Sequence, residues 1–491
     1  MKEYILSIDQ GTTSTKVVLY NLKGKVLISV IKPIGIITPK RNWVEQSPDK
    51  IYLSIVTGIK DIFSNFNVLP KEIVAVAIDN QGETIIPFNK STLEPLYNAI
   101  VWQDNRTTVE IKSYKNPEIE KYIKKNTGLF LDPYFSAPKM KWLMDNIQGV
   151  QNENKNNNLI IATSEVWLIN KLVKRKSYFT DVTTASRTML FDIAQYKWDD
   201  KLISFFDLHR SILPGITPTI FNYGITDPKI CSGIEAPVVS SVVDQQSALY
   251  GHRCFNTGDA KLTLGTGGFL LVNTGSKLPV QNKKLITTIS PQIKNEKQYI
   301  IDGGIYTVGS ALEWLKNKIE LFGSFDELED LLKCRDSNVF FVPALAGLSV
   351  PYWTTESSGA FVGFGLESDK KQMVKAVMES IAFRIYQIIN LIKSSGTNIT
   401  SLSVDGGVSK SLFLINYISE LLGIDLLLPE EKEITALGGC YLAGLSLGVW
   451  SDLNEIKKIN RKKSLIKNSI DENTRVKFEK WRKIVDAVIN I

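Results

Sequence analysis

The feature that most constrains this chain is a pattern it uses twice. Tyr4-Ile5-Leu6-Ser7-Ile8-Asp9 and Val17-Val18-Leu19-Tyr20 are β-rich apolar runs joined by the polar turn Gln10-Gly11-Thr12-Thr13-Ser14-Thr15-Lys16. About 250 residues later, Asp259-Ala260-Lys261-Leu262-Thr263-Leu264 and Phe269-Leu270-Leu271-Val272 flank Gly265-Thr266-Gly267-Gly268. A plain hairpin needs a glycine and at most one polar neighbour. The first turn instead collects four hydroxyls and a lysine, with Asp9 on the strand before it. Such a donor-rich concavity suits a phosphate chain, and Asp9 sits where a magnesium ion could be held. The Walker spacing GxxxxGK[ST] is absent. Taken alone the stretch reads as a polar surface hairpin; its repetition makes it a device.

A duplication of this period is far too long for a solenoid. At 491 residues the chain also exceeds what one hydrophobic core usually serves. The expectation is an α/β protein of two halves, 1–248 and 249–491, facing each other across a cleft. Ligands of α/β domains collect at the C-terminal ends of strands, and the polar clusters lie there. Ile73–Ile78 is a wholly apolar strand ending in Asp79-Asn80-Gln81-Gly82-Glu83, and Ala99–Trp102 repeats that layout before Gln103–Arg106. Ala236–Val243 delivers Asp244-Gln245-Gln246, and Ser401–Val404 ends in Asp405-Gly406-Gly407 before a helix. Ser47-Pro48 reads as an N-cap and first helical residue, with Ile51, Ile55, Ile59 and Ile62 as the buried stripe. Asn152–Asn158 reads as a polar loop, the helix around Met373, Val377 and Ile381 as core, and the basic run Lys457, Lys458, Arg461, Lys462, Lys463 as a solvated face.

Bulk properties exclude several classes. A net charge of +7 is small for this length and does not argue for nucleic acid. The four cysteines form no CxxC pair, and two histidines leave little room for histidine-based metal or triad chemistry. No apolar run approaches a membrane span, so no membrane insertion is expected and a cytoplasmic protein is the default.

Taken together, these residues resemble the FGGY family of carbohydrate kinases, most closely its members that phosphorylate glycerol. The resemblance runs from Ile5 to about Trp450. It is carried by Asp9-Gln10-Gly11-Thr12-Thr13-Ser14, Asn98-Ala99-Ile100-Val101-Trp102-Gln103, Asn126-Thr127-Gly128, Asp132-Pro133-Tyr134-Phe135-Ser136 and Ala185-Ser186-Arg187-Thr188-Met189-Leu190-Phe191. The second half adds Asp244-Gln245-Gln246, Gly265-Thr266-Gly267, Gly347-Leu348, Pro351-Tyr352-Trp353, Asp405-Gly406-Gly407 and Thr435-Ala436-Leu437-Gly438. The resemblance implies two actin-like, ribonuclease-H-like domains around a cleft, with ATP and Mg2+ as cofactors and a homo-oligomer, dimer or tetramer, compatible with it. It puts Thr12, Thr13, Ser14 and Lys16 beside the ATP phosphates, with Gly265 and Thr266 opposite them. Gly309, Glu313, Gly407 and Ser411 are assigned to the rest of the nucleotide. Asp9 and Asp244, one from each half, are expected to bracket the magnesium and the reacting hydroxyl, with Asp244 as base. A carboxylate of ordinary acidity suffices there, because late proton transfer in a loose transition state asks little of it. The polyol would be held by Glu83, Tyr134, Asp244 and Gln245, with Trp102 and Phe269 as aromatic walls.

The chain departs from its family at Gly82, where those kinases carry an arginine that hydrogen-bonds glycerol. The loss of a charged donor, worth roughly 1–3 kcal/mol, opens space. Either water or another cation fills it, Arg106 being nearest in sequence, or the substrate is a larger polyol or ketose. Lys16 replaces an arginine, losing the bidentate fork; Glu313 replaces a glutamine and Ser411 an asparagine. Asp227–Gly233 lacks the loop that binds fructose bisphosphate in some members. No histidine lies between Leu213 and Ala236 to accept a regulatory phosphate.

Overall fold

The computed structural model describes residues 3–280, 282, 284–334, 336–354, 357–459, 462–467 and 470–489. Two mixed sheets organise it. The first contains β1 (Tyr4–Gln10), β2 (Ser14–Asn21), β3 (Val26–Pro33), β4 (Ile73–Asn80), β5 (Ile220–Ile225) and β6 (Pro237–Val243), in the order β3-β2-β1-β4-β6-β5. The second contains β7 (Asp259–Leu264), β8 (Gly268–Gly275), β9 (Ile286–Ile289), β10 (Tyr299–Ile305), β11 (Ser401–Asp405), β12 (Leu426–Pro429) and β13 (Lys463–Ile466), in the order β9-β10-β8-β7-β11-β12-β13. The duplication is visible strand by strand. In each sheet an antiparallel hairpin, β1–β2 or β7–β8, is followed by two parallel neighbours, β4 and β6 or β11 and β12, and then by an antiparallel edge strand.

The halves diverge once the first parallel strand has been laid beside its hairpin. After β11 the chain makes one tight turn and enters helix α4 (Leu412–Leu422). After β4 it leaves the sheet and does not return until β5, forming in between several helices and three strands of a four-stranded sheet that Glu45–Gln46 completes. In that insertion Ala99–Ile100 is a two-residue strand of the small sheet, so Trp102 follows no strand of the main sheet as the sequence layout suggested. Asn152–Lys155, read as loop, continues the helix Gln148–Lys155; Glu153 anchors it by accepting from Asn89 and Asn158, and Val150 is buried beneath it.

Helix α1 (Pro48–Asn65) starts as its sequence dictates. Ser47 accepts from the Lys50 amide, Pro48 is the first helical residue, and Ile51, Ile55, Ile59 and Ile62 are buried against the first sheet. Helix α3 (Lys370–Ser394) is core at Val377 and Ile381. Of the basic run, Lys458, Lys462 and Lys463 are exposed and Lys457 is half-buried, while Arg461 lies outside the described residues.

The two halves meet along two helices, α2 (Asp244–Gly251) and α5 (Ile434–Ser446). They cross almost backbone to backbone: a Cβ on Gly438 would stand 1.8 Å from the Ser247 carbonyl oxygen, and one on Gly251 would stand 2.0 Å from that of Ile434. Helix α5 belongs to the second half of the sequence, yet it covers the first sheet, with Ala436, Cys440 and Tyr441 packed on Ile5, Ala75 and Ala77. Among the described residues no helix is long and apolar enough to cross a membrane.

Candidate active site

The phosphate-type hairpin closes through Gly11, whose amide donates to the Ser14 carbonyl at 3.1 Å. Thr13 is exposed and Thr12 and Ser14 partly so, leaving hydroxyls at the cleft surface. The loop is braced from the small four-stranded sheet. Gln46 Nε2 donates to the Thr12 carbonyl at 2.5 Å, and the Trp102 indole donates to Thr12 Oγ1 at 2.8 Å. Trp102 therefore ties the polyol side to the phosphate side. Lys16 forms an ion pair with Glu433, the residue before α5, at 3.0 Å. Burial works against its charge, but Asp9 and Glu433 outweigh that and hold its pKa up.

Asp9 and Asp244 do not come from opposite halves. Asp9 is near the end of β1 and Asp244 directly follows β6, two strands of one sheet separated by β4. The sequence pattern split them because the repeat begins only after residue 250, whereas the first sheet takes its last two strands from residues 220–243. Asp244 opens α2 in its first turn, and Val243 occupies the cap position. Its side chain therefore reaches the cleft instead of capping the helix. Burial, with Asp9 and Glu83 adding repulsion, pushes its carboxyl up to about 7, so this carboxyl is not of the ordinary acidity expected of it from the sequence.

Between the two lies Asp79, in register with Asp9 on the neighbouring strand. It is fully buried and faces the Asp9 carboxyl, and no other donor reaches its carboxylate oxygens. Burial first, and Asp9 second, raise its pKa well above the ordinary range. Two apposed carboxyls suit a hard cation that completes its shell with phosphate oxygens and water. Among the described residues no group of three or more His, Cys, Asp or Glu is arranged to hold a metal alone.

On the polyol side the structure gathers Glu83, Tyr134, Trp102 and a residue to which the sequence alone assigned no role, Arg187. Its Nε donates to Glu83 Oε1 at 2.6 Å and its Nη1 to Asp302 Oδ2 of β10 at 3.2 Å. The guanidinium lies 5.8 Å from the Tyr134 ring, and Trp102 and Tyr134 meet edge to face at 5.6 Å. The space at Gly82 is not open. A Cβ there would meet Val243 at 3.0 Å and Arg187 Cγ at 3.1 Å. Nor does Arg106 turn toward it: that guanidinium is bound to Asp104 and Glu45 and lies 3.9 Å from the Trp43 ring and 4.5 Å from the Trp142 ring. Lys139, wholly buried, donates to the Tyr134 carbonyl at 2.6 Å and fixes that corner; burial lowers its pKa to about 8.

The second sheet turns a polar face toward these groups. Lys261, Thr263, Phe269, Asp302, Ser403 and Asp405 share it, since each lies opposite another in register or two residues along. Lys261 is completely buried and donates to Gln245 Oε1 and, at 3.1 Å, to Thr263. His252, at the end of α2, contacts Ser403 at 2.8 Å and comes within 3.3 Å of Asp405. Burial opposes the Asp405 charge, yet His252 and Lys261 hold that carboxyl down to about 2. Phe269 is half-buried beside Leu271 and Leu249.

The nucleotide residues divide. Gly265 and Gly309 touch each other, the Gly309 amide donating to the Gly265 carbonyl at 2.9 Å; a Cβ on Gly309 would stand 2.7 Å from that oxygen. Thr266 and Gly407 are exposed, with open space at Gly407; Gly406 carries the close approach, at φ 96° against Leu264. Glu313 is exposed on the helix Gly309–Asn317 and accepts from Asn317. Ser411 is buried, caps α4 at Leu414 and donates to Glu329.

Known proteins share this arrangement. Residues 4–251 match the model of the N-terminal domain of the FGGY family of carbohydrate kinases, and residues 260–447 match that of its C-terminal domain. The whole chain is 36% identical to a glycerol kinase of Thermoanaerobacter pseudethanolicus and 38% identical to one of Clostridium botulinum, spanning 99% of each. Among solved structures, Plasmodium falciparum glycerol kinase with ADP superposes with a TM-score of 0.92 at 32% identity, over 99% of this chain and 98% of that one. A xylulose kinase from Lactobacillus acidophilus, at 23% identity and a TM-score of 0.88 over 99% and 98% of the two chains, shares the fold.

Proposed function

The chain belongs to the FGGY family of carbohydrate kinases, and on that premise we propose that it transfers the γ-phosphoryl group of ATP to a terminal hydroxyl of glycerol, forming sn-glycerol 3-phosphate. The similarity of the entire chain to glycerol kinases supports the substrate. The observation that carries the chemistry is the placement of Asp244 directly after β6, in a buried setting shared with the carboxyls of Asp9 and Glu83. Asp244 would orient the attacking hydroxyl and accept its proton as the oxygen–phosphorus bond forms and the bond to the ADP oxygen breaks. Phosphoryl transfer demands alignment and charge neutralisation and little covalent work. The hydroxyls of Thr12, Thr13 and Ser14 would hold the phosphates from the first sheet, and the Gly265–Thr266 turn from the second. Gly309, Glu313 and Gly407 would take the remainder of the nucleotide. Glu83, Tyr134 and Gln245 would bind the polyol hydroxyls, with Trp102 and Phe269 against its C–H edge. A magnesium ion bound at Asp9 and Asp244, with the Asp79 carboxyl adjacent, would neutralise charge on the transferring phosphate. The division into halves at 248/249 passes through α2, so we place the hinge on that helix.

An ADP-release assay with glycerol, dihydroxyacetone, erythritol and xylulose tests the proposal. Glycerol is expected to show the highest kcat/KM. Turnover of a tetritol or pentulose above glycerol overturns the substrate, and turnover of none of them overturns the kinase reading.

A further inference from the structure

We propose that Arg187 is the cation that orients the polyol, held in place by Glu83 within the first half and by Asp302 across the domain boundary. The inference rests on the kinase reading above and assigns the specificity of that site. Three observations converge on it. The Arg187 stem, with Val243, fills the space over Gly82, because Arg187 Cγ and Val243 already form the contact shell of a Cβ there. The guanidinium is also fixed in direction. Nε is committed to Glu83 at 2.6 Å and Nη1 to Asp302 at 3.2 Å, with the side chain 6% exposed. A planar guanidinium pinned at two points cannot swing, so its other N–H bonds point in set directions. Finally, its neighbours are those expected to touch the substrate: Glu83 directly, the Tyr134 ring at 5.8 Å, and Val243, which immediately precedes Asp244.

The pairing accounts for the chemistry of both carboxylates. Glu83 is 4% exposed, and a buried carboxylate needs a paired cation to remain charged and accept from a polyol hydroxyl. Arg187 is that cation, and its remaining donors complement the hydroxyl oxygens. Asp302 adds a condition. Because it comes from the second sheet, the guanidinium is pinned at both ends only when the two halves are together. Polyol recognition is thereby coupled to the arrangement that brings Gly265 and Thr266 to the phosphates.

The test compares glycerol with 1,2-propanediol and 1,3-propanediol, each lacking one hydroxyl, in the parent, Arg187→Ala, Arg187→Lys and Gly82→Ala. In Arg187→Ala the KM for glycerol is expected to rise about tenfold or more, as for loss of a charged hydrogen bond. Its preference for glycerol over one of the two diols should shrink by a similar factor, and the KM for ATP should stay within about threefold. Arg187→Lys keeps the charge without the fork and should recover only part of the preference. Should Arg187→Ala fail to fold, Gly82→Ala carries the test, since its Cβ crowds Arg187 and Val243 without removing the guanidinium; the preference should narrow in the same direction. A proportional loss on all three substrates with the preference intact overturns the inference and leaves the glycerol kinase reading standing. A parent enzyme inactive on glycerol overturns both.

Discussion

At the scale of single residues, environment decides the chemistry. Asp244 has an ordinary side chain whose proton affinity is set by burial and by Asp9 and Glu83, which move it to about 7. Only its ionised form can accept a proton, so kcat/KM, which reports the free enzyme, should rise with pH through about 7 and level off above. A profile flat from pH 5 to 8 would place the base elsewhere. Asp244→Asn should lower kcat by roughly 10²–10⁴-fold while ADP still binds by calorimetry. The same shift carries a stability signature. A carboxyl whose folded pKa exceeds its unfolded one destabilises the fold progressively as pH rises between the two values. Ligand-free Asp244→Asn should therefore melt above the parent at pH 8, and the gap should close toward pH 4. Arg187 makes the complementary point: its motif was plain in the sequence, but its role depends on Glu83 and Asp302, 104 and 115 positions away.

At the scale of elements, the two hairpins and the crossing of α2 with α5 do most of the positioning. The hairpins were legible because strand alternation and glycine-rich turns are local properties. The helix crossing was not: Gly251 and Gly438 look like incidental helix glycines until the second helix lies over them. Gly438→Ala would drive a methyl group into the Ser247 carbonyl at 1.8 Å, and no side-chain motion relieves a clash with backbone. The helices must part, costing on the order of 1–3 kcal/mol as overpacking. The thermal midpoint should fall and the KM for ATP should rise with it, because α2 carries Asp244 and α5 begins beside Glu433, the partner of Lys16. An unchanged midpoint would mean that the two backbones do not cross this closely.

For the whole molecule, neither half holds all of the proposed site. The first sheet supplies Thr12, Thr13, Asp9 and Asp244, the inserted region supplies Trp102, Tyr134 and Arg187, and the second sheet supplies Gly265, Thr266 and Asp302. A nucleotide and a polyol bound together therefore join surfaces that either alone would join only in part. A non-hydrolysable ATP analogue and glycerol, each near 100 times its Kd, should together raise the thermal midpoint by more than the sum of their separate shifts. About 2.7 kcal/mol is the linkage expected for one independent ligand at that concentration. Strictly additive shifts would show that the two ligands do not communicate through the domain boundary.

The duplication, the α/β class, the two glycine- and hydroxyl-rich turns, the α1 cap and the strand ends at Asp9 and Asp244 were legible in the chain, because each is written in a short window of periodicity, turn chemistry or motif. Only the tertiary structure decided which sheet a strand joins and which side chain fills a given space. It put Asp9 and Asp244 on one sheet, since β5 and β6 return to it after a long insertion. It closed the apparent gap at Gly82 with Arg187, locked Arg106 to Asp104 and Glu45 beside Trp43 and Trp142, and buried Ser411 as a cap. Those outcomes depend on contacts between residues distant in the chain, and no local pattern encodes them.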